Sequence, residues 1–353
     1  MKKYIASLLA IAGLTISCQE NNSAPTTSVN APTEKVQEVV NVYTHRFYDT
    51  DQNLFRSFEK KTGIRVNVKK DKADKLIALL QAEGNSSEAD LLITVDAGRL
   101  GYAKELDLLQ SFNSPIIDNQ IPPHFIDKDH KWTSLTQRAR VIAYDHNKVN
   151  PENLDSYMDL TDAKWKGQIN VRSANNIYNQ SLLASIIAHH GEEKALEWAK
   201  GIVKNMARDP KGNDRDQVKQ VALGEGSLAI INTYYLGKLL DSSNEMEANA
   251  GKSVSLHFPG KDNFGTHINV SGAGVTKYAP NKANAERLME FLLSAESQKA
   301  YAESNYEYPV RPGVEPSEML KSWGDFRSDE LDLEMLSKYN QKAVEIFKLA
   351  GWK

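Results

Sequence analysis

Two adjacent tyrosines, Tyr234 and Tyr235, close the stretch Ser227-Leu-Ala-Ile-Ile-Asn-Thr-Tyr-Tyr235. The apolar run before them reads as a buried strand and the pattern after them as a helix. Such junctions are where α/β proteins present ligand-binding side chains. A tyrosine hydroxyl is a poor acid and a poor base near neutral pH. As a phenolate, its oxygen is a hard anionic donor suited to a small, highly charged cation such as ferric iron. Tyr48 and Tyr178 occupy comparable junctions, beside the extended runs 39–45 and 168–171. All four stand at or before a helix start, where the positive end of the helix favours a negative group. Three phenolates neutralise Fe3+ and four leave a net −1. Arg46, Arg138 and Arg140 are placed to offset that charge or to hold an anion, with Arg172 a weaker candidate. Each tyrosine taken singly is also explained as a packed residue with a satisfied hydroxyl. A receptor for an organic or anionic solute (phosphonate, polyamine or sugar) would use the same tyrosines for stacking and the same arginines for grip.

The rest of the chain offers little competing chemistry. Cys18 is the only cysteine, so a thiolate metal site and an internal disulfide are both excluded. A softer or divalent transition metal would call for clustered Cys and His, and neither clusters. His189 and His190 precede Gly191 at an expected helix end, and adjacent helical side chains diverge by about 100°, so they read as a helix-end pair. Gly272-Ala-Gly274 lacks a phosphate-loop lysine and reads as a strand break or hinge contact. There is no His-Glu-x-x-His, no Gly-x-Ser-x-Gly, and no acid–base partner beside a tyrosine. The chain is therefore not expected to be an enzyme.

The elements that position these residues follow from periodicity. Val39-Val-Asn-Val-Tyr-Thr44, Ile64-Arg-Val-Asn-Val68 and Ala89-Asp-Leu-Leu-Ile-Thr-Val95 read as strands, with helices over 50–61 and 73–83 between them. Repeated β-α-β-α-β predicts a doubly wound α/β domain. Arg140-Val-Ile-Ala-Tyr144 reads as a crossing strand and Gln168-Ile-Asn-Val171 as another. Helices are expected over 179–189, 192–204 and 214–223, then a strand over 228–231 and a helix after Tyr235. With 353 residues there is length for two α/β lobes around a ligand cleft. The expected organisation places 39–140 and 265–315 in a first lobe and 141–264 and 316–353 in a second.

The N-terminus reads as an export leader. Lys2 and Lys3 precede an apolar run too short to span a bilayer, and Leu14-Thr-Ile-Ser-Cys18 resembles a lipobox, with Cys18 at the lipidation position. Residues 1–17 are then a lipoprotein signal peptide. Residues 18–38, rich in Asn, Ser, Ala, Pro and Thr, form a flexible tether to a cell-envelope membrane. A formal net charge of −3 without any Lys/Arg block argues against nucleic-acid binding.

Five segments together resemble the ferric-iron-binding solute receptors of bacterial ATP-binding cassette importers, a family that includes the cyanobacterial iron receptors. They are Val42-Tyr-Thr-His-Arg-Phe-Tyr-Asp-Thr-Asp51, Ala89 to Leu100, Asn176-Ile-Tyr-Asn-Gln-Ser-Leu182, Asn232-Thr-Tyr-Tyr235 and Gly265 to Val275. The resemblance runs from about Val39 to the C-terminus. It implies a bilobal type II periplasmic-binding-protein fold, with Tyr48, Tyr178, Tyr234 and Tyr235 as ligands to Fe3+ as the transported ion. It further implies a periplasmic monomer that delivers iron to a permease and its ATPase, with Tyr48 on the first lobe closing over the other three. Members with this pattern often carry histidine just before the first tyrosine, where this chain has Phe47. His45 is one candidate fifth ligand, about 6–7 Å back along an extended chain, and water, an anion or four-coordinate binding are the alternatives.

Overall fold

The computed structural model describes residues 37–46 and 48–353. The leader, the lipobox with Cys18, the tether up to residue 36 and Phe47 lie outside the described residues. Gln37 and Glu38 are already tied to the folded body: Gln37 Nε2 donates to Gly63 O at 2.6 Å and Arg65 N donates to Glu38 O at 2.9 Å.

Strand β1 (Val39–Thr44) lies inside the sheet edge, with Val40 and Val42 buried on one face and Tyr43 on the other, as a parallel strand requires. It pairs in parallel with β2 (Arg65–Lys70) on one side and with β3 (Leu91–Thr94) on the other. The edge strand β2 is largely exposed and carries Lys69 and Lys70, charges that discourage pairing with another chain. Helices α1 (Asp49–Thr62) and α2 (Ala73–Glu83) make the crossovers, and α3 (Ala97–Glu105) and α4 (Pro115–Gln120) follow β3. Gly63 ends α1 at φ 76°, a left-handed position that glycine takes without strain.

The long strand β4 (Thr133–Asp145) changes partners part-way along. Thr133–Ala139 pairs antiparallel with β8 (Ile268–Val275), which itself pairs with β3. From Arg140 onward β4 pairs instead with β6 (Leu228–Asn232) and β7 (Val254–His257), and β6 pairs in parallel with β5 (Ile169–Asn170). The sheet therefore runs β2-β1-β3-β8-β4-β6-β5, with β7 beside β4. The expected strand 140–144 is the second half only. Thr133 to Arg138 is too polar to read as a strand, yet it is buried, with Thr136 bonded to Glu307 and Gln137 bonded to Ser328 and to the backbone of Tyr308. Gly272 and Gly274 do not break β8. A Cβ at Gly272 would lie 2.6 Å from Thr133 O, so the glycines allow β4 to approach closely.

Three clusters of buried side chains flank the sheet. One joins β1, β3 and β8 to α1, α2 and α9 (Lys282–Leu292), with Tyr301 of α10 (Ala295–Ser304). A second packs Ile142, Ile169 and Ile230 against Leu182, Ile186 and Trp198. These last three belong to α5 (Ile177–Asn205), a helical run interrupted at Gly191 (φ 83°, ψ 168°), where the sequence pattern predicts the boundary between two helices. The third cluster lies on the other face of β4 and β6. Ala229 and Ile231 there meet α6 (Asp214–Ala222) and α7 (Thr233–Leu240), with α8 (Glu245–Lys252) beyond them. Strand alternation thus sends Leu228 and Ile230 one way and Ala229 and Ile231 the other. The C-terminal α11 (Glu318–Ser322), α12 (Glu334–Lys338) and α13 (Asn340–Ala350) return along the chain, and Ile346, Phe347 and Trp352 complete the second cluster. Among the described residues, no helix is long and apolar enough to cross a membrane.

Candidate metal centre

The four tyrosines come from three helix N-termini. Tyr48 is the N-cap residue of α1, Tyr178 is the second residue of α5, and Tyr234 and Tyr235 lie inside the first turn of α7 rather than before it. Asn176 caps α5 through Asn179 N, which fixes where Tyr178 emerges. The α7 turn begins directly after β6 because Asn232 is held by two partners: its N–H donates to Asp214 Oδ2 at 2.8 Å and its Oδ1 accepts from Arg140 at 3.2 Å.

The structure brings these four side chains together. Tyr234 is the hub: its hydroxyl donates to the Tyr178 hydroxyl at 3.2 Å. Its ring lies 4.3 Å from that of Tyr235 and 6.4 Å, edge-on, from that of Tyr48. Burial raises the phenol of Tyr234 well above its ordinary value, and neighbouring Tyr178, Tyr235 and Tyr48 raise it further against the pull of Arg138. Tyr235 is raised likewise, by burial first and then by Tyr178 and Asp214. Tyr48 keeps part of its ring accessible, but burial of its hydroxyl end raises it too, with Tyr178 and Glu307 adding to the effect and Arg46 opposing it. These three phenols are therefore protonated at neutral pH without a bound cation. A trivalent ion is the kind of charge that would displace those protons. The donor set fits such an ion: four hard oxygens converge, and among the described residues no cluster of three His, Cys, Asp or Glu is arranged to hold a metal.

His45 opens onto the same region. A cleft of about 350 Å3 is lined by His45, Asp74, Arg99, Arg172, Tyr178 and Tyr235. Burial lowers the His45 imidazole below its ordinary value; Asp74 opposes this, and the positive charges of Arg99, Arg138 and Arg46 add to it. A neutral ring is the form that binds metals.

The arginines differ in what they have left to give. Arg46 is buried and fully engaged: Nε donates to Asp51 at 2.9 Å, Nη2 to Glu307 at 3.0 Å and Nη1 to Thr136 at 3.3 Å. Arg140 Nη1 pairs with Asp214 at 2.6 Å and Nη2 with Asn179 at 2.8 Å. Arg172 shares that aspartate at 3.3 Å. Arg138 donates from Nη2 to Val95 O and lies 3.8 Å from Asp96, while its Nε and Nη1 have no hydrogen-bond partner. All three of Arg138, Arg140 and Arg172 lie over the Tyr178 ring, at 5.5–5.9 Å.

Sequence reasoning missed the carboxylates that neutralise these arginines, since Asp51, Asp96, Asp214 and Glu307 come from four separate segments. It also missed Lys238, which carried a usable signal: it follows Tyr234 by one helical turn. His189 takes no part, pairing with Asp329 at 2.9 Å and stacking on Phe264 at 4.0 Å, and the His190 ring lies 6.5 Å away.

Residues 86–325 match the family model for bacterial extracellular solute-binding proteins. The chain belongs to that family. This solute-binding protein is 43% identical to iron uptake protein A1 of Synechocystis over 337 residues, 96% of this chain and 92% of that one. It is similar in structure to the Trichodesmium protein IdiA (FutA) in complex with iron and citrate, at 46% identity and a TM-score of 0.86. That match covers 89% of this chain and 100% of the other. The ferric binding protein from Campylobacter jejuni matches at 43% identity and a TM-score of 0.86, with the same coverage. The solute-binding protein has the type II periplasmic-binding-protein fold of these neighbours.

Proposed function

We propose that the protein is an extracytoplasmic receptor for ferric iron, which it binds through Tyr48, Tyr178, Tyr234 and Tyr235 and hands to an ATP-binding cassette importer. The observation that carries this reading is the convergence of four tyrosines on Tyr234, at a site with no competing cluster of softer donors among the described residues. The iron-related names of its relatives support the choice of cargo. The role is capture and release with no chemical reaction, so the protein is not an enzyme.

On this reading the first lobe comprises 39–140 and 265–315 and the second 141–264 and 316–353. The change of partners along β4 at Ala139–Arg140 supports that division. Iron loads on Tyr178, Tyr234 and Tyr235, and Tyr48 joins as the cleft closes. His45 is a candidate further ligand. Arg138, with two unpartnered nitrogens, is the arginine best able to hold an accompanying anion. Cys18 carries a lipid that keeps the receptor beside its permease. A receptor for an organic anion is less well supported, because Arg46 and Arg140 already hold carboxylates.

Titration with chelated ferric iron, followed by visible absorption, tests the proposal. A saturable phenolate-to-iron band at one equivalent, lost in Tyr234→Phe/Tyr235→Phe, is expected. A protein that stays colourless at every ratio would require a different solute.

A further inference from the structure

Lys238 projects from α7, one turn beyond Tyr234, and its ammonium nitrogen lies 3.6 Å from the centre of the Tyr48 ring and 5.6 Å from that of Tyr234. A half-buried lysine usually finds a carboxylate or reaches solvent. Lys238 makes no ion pair among the described residues. The acids whose charge it feels, Glu307 and Asp51, are both held by Arg46.

The charges around the tyrosines make this contact informative. Four buried or half-buried arginines lie over the rings of Tyr48 and Tyr178, and four carboxylates meet them: Asp51 and Glu307 at Arg46, Asp96 at Arg138, and Asp214 at Arg140 and Arg172. The arginines are thus balanced before any solute arrives. Four phenolates around a trivalent ion carry one negative charge in excess, in surroundings where an uncompensated buried charge is costly. Among the described residues, Lys238 is the cation over these tyrosine rings that no carboxylate pairs, and it sits on the face of the tyrosine contributed by α1. A ring carries more negative charge as phenolate than as phenol, so a cation on its face favours the ionised form.

We propose that Lys238 is the counter-cation of the four-phenolate site, a positioning residue that makes Tyr48 an effective fourth ligand by offsetting the excess charge. This rests on the ferric-iron reading given above. It differs from a packing role, in which the lysine stem merely covers the Tyr48 ring.

The test compares the purified wild-type protein with Lys238→Met, Lys238→Gln, Lys238→Arg, Tyr48→Phe and Tyr48→Phe/Lys238→Met. Ferric affinity is measured against a competing chelator, together with the position of the phenolate band. Loss of the charge is expected to weaken ferric binding by about 10- to 100-fold, the size of one charge pair about 6–12 Å apart at an effective dielectric near 20. The band should shift toward that of Tyr48→Phe, and Lys238→Arg should recover most of the affinity. In the Tyr48→Phe background, Lys238→Met should have little further effect. Unchanged affinity in Lys238→Met and Lys238→Gln, or a full loss that persists without the Tyr48 hydroxyl, would overturn the inference while leaving the iron reading intact. A wild-type protein that shows no phenolate band would overturn both.

Discussion

Tyr234 meets every other tyrosine of the site, while Tyr48 meets the ring of Tyr234 edge-on and carries Lys238 on its own face. The two should therefore fail differently. Tyr48→Phe is expected to keep a visible band while weakening ferric affinity by more than the roughly 10- to 100-fold typical of an outer-shell change. Tyr234→Phe should also disturb the coordination at Tyr178 and Tyr235, changing the shape of the band as well as the affinity. The proton balance is equally specific. Tyr48, Tyr234 and Tyr235 all hold their protons above the ordinary phenol range, so each must release one when it binds a cation. Affinity then rises with pH. Calorimetry in buffers of different ionisation enthalpy should count at least three protons released per iron, and one or none would rule out a tyrosinate site of this size.

At the scale of elements, the placement of α7 decides where three of the proposed site's side chains, Tyr234, Tyr235 and Lys238, go. Gly237 faces Tyr306, and a Cβ there would lie 2.4 Å from the Tyr306 ring. Tyr306 itself takes a left-handed backbone at φ 57°, beside the Glu307 that holds Arg46. Gly237→Ala should cost about 1–3 kcal/mol of stability by overpacking, with a parallel loss of ferric affinity as α7 shifts. Equal melting temperature and equal affinity would show that α7 is free to adjust. His267, at the start of the segment entering β8, is kept neutral by burial and by Arg138 and Arg140, which pull it down to about 3. Its unfolded value is near 6.5, so the folded state binds fewer protons between the two. Its stabilising contribution is present above about pH 6.5 and is lost as pH falls toward 3, at up to about 1.4 kcal/mol per pH unit. His267→Gln should flatten the acid side of the stability profile by about one proton in denaturant titrations. Unchanged pH dependence would mean that His267 is already charged in the folded protein.

These elements were unevenly legible. The strands β1, β3 and β6 and the helices α1, α2 and α6 are apolar-periodic segments bounded by glycine or caps, and the chain pattern predicts them to within a few residues. The break at Gly191 was legible for the same reason. The first half of β4 was not, because it buries threonine, glutamine and arginine whose side-chain partners are distant in the chain, Glu307 and Ser328 beyond it and Val95 and Asp96 before it. The tyrosines could be picked out as a set by local motif. Their convergence, and the pairing of each arginine with a distant carboxylate, are products of tertiary structure that no local pattern encodes.

Over the whole molecule, the site depends on one long strand that serves both parts of the sheet. Because β4 carries Arg138 before its change of partners and Arg140 after it, the cluster under Tyr178 is anchored where the two parts meet. Closure of the cleft would then bring Tyr48, fixed at the start of α1, to the tyrosines on α5 and α7. The central claim is that these four phenol oxygens hold the ion. The most direct measurement is a crystal structure of the iron-loaded protein with anomalous data collected at the iron edge. The account predicts a single strong peak among the hydroxyls of Tyr48, Tyr178, Tyr234 and Tyr235. A peak elsewhere, with these hydroxyls still bonded only to one another, would contradict it.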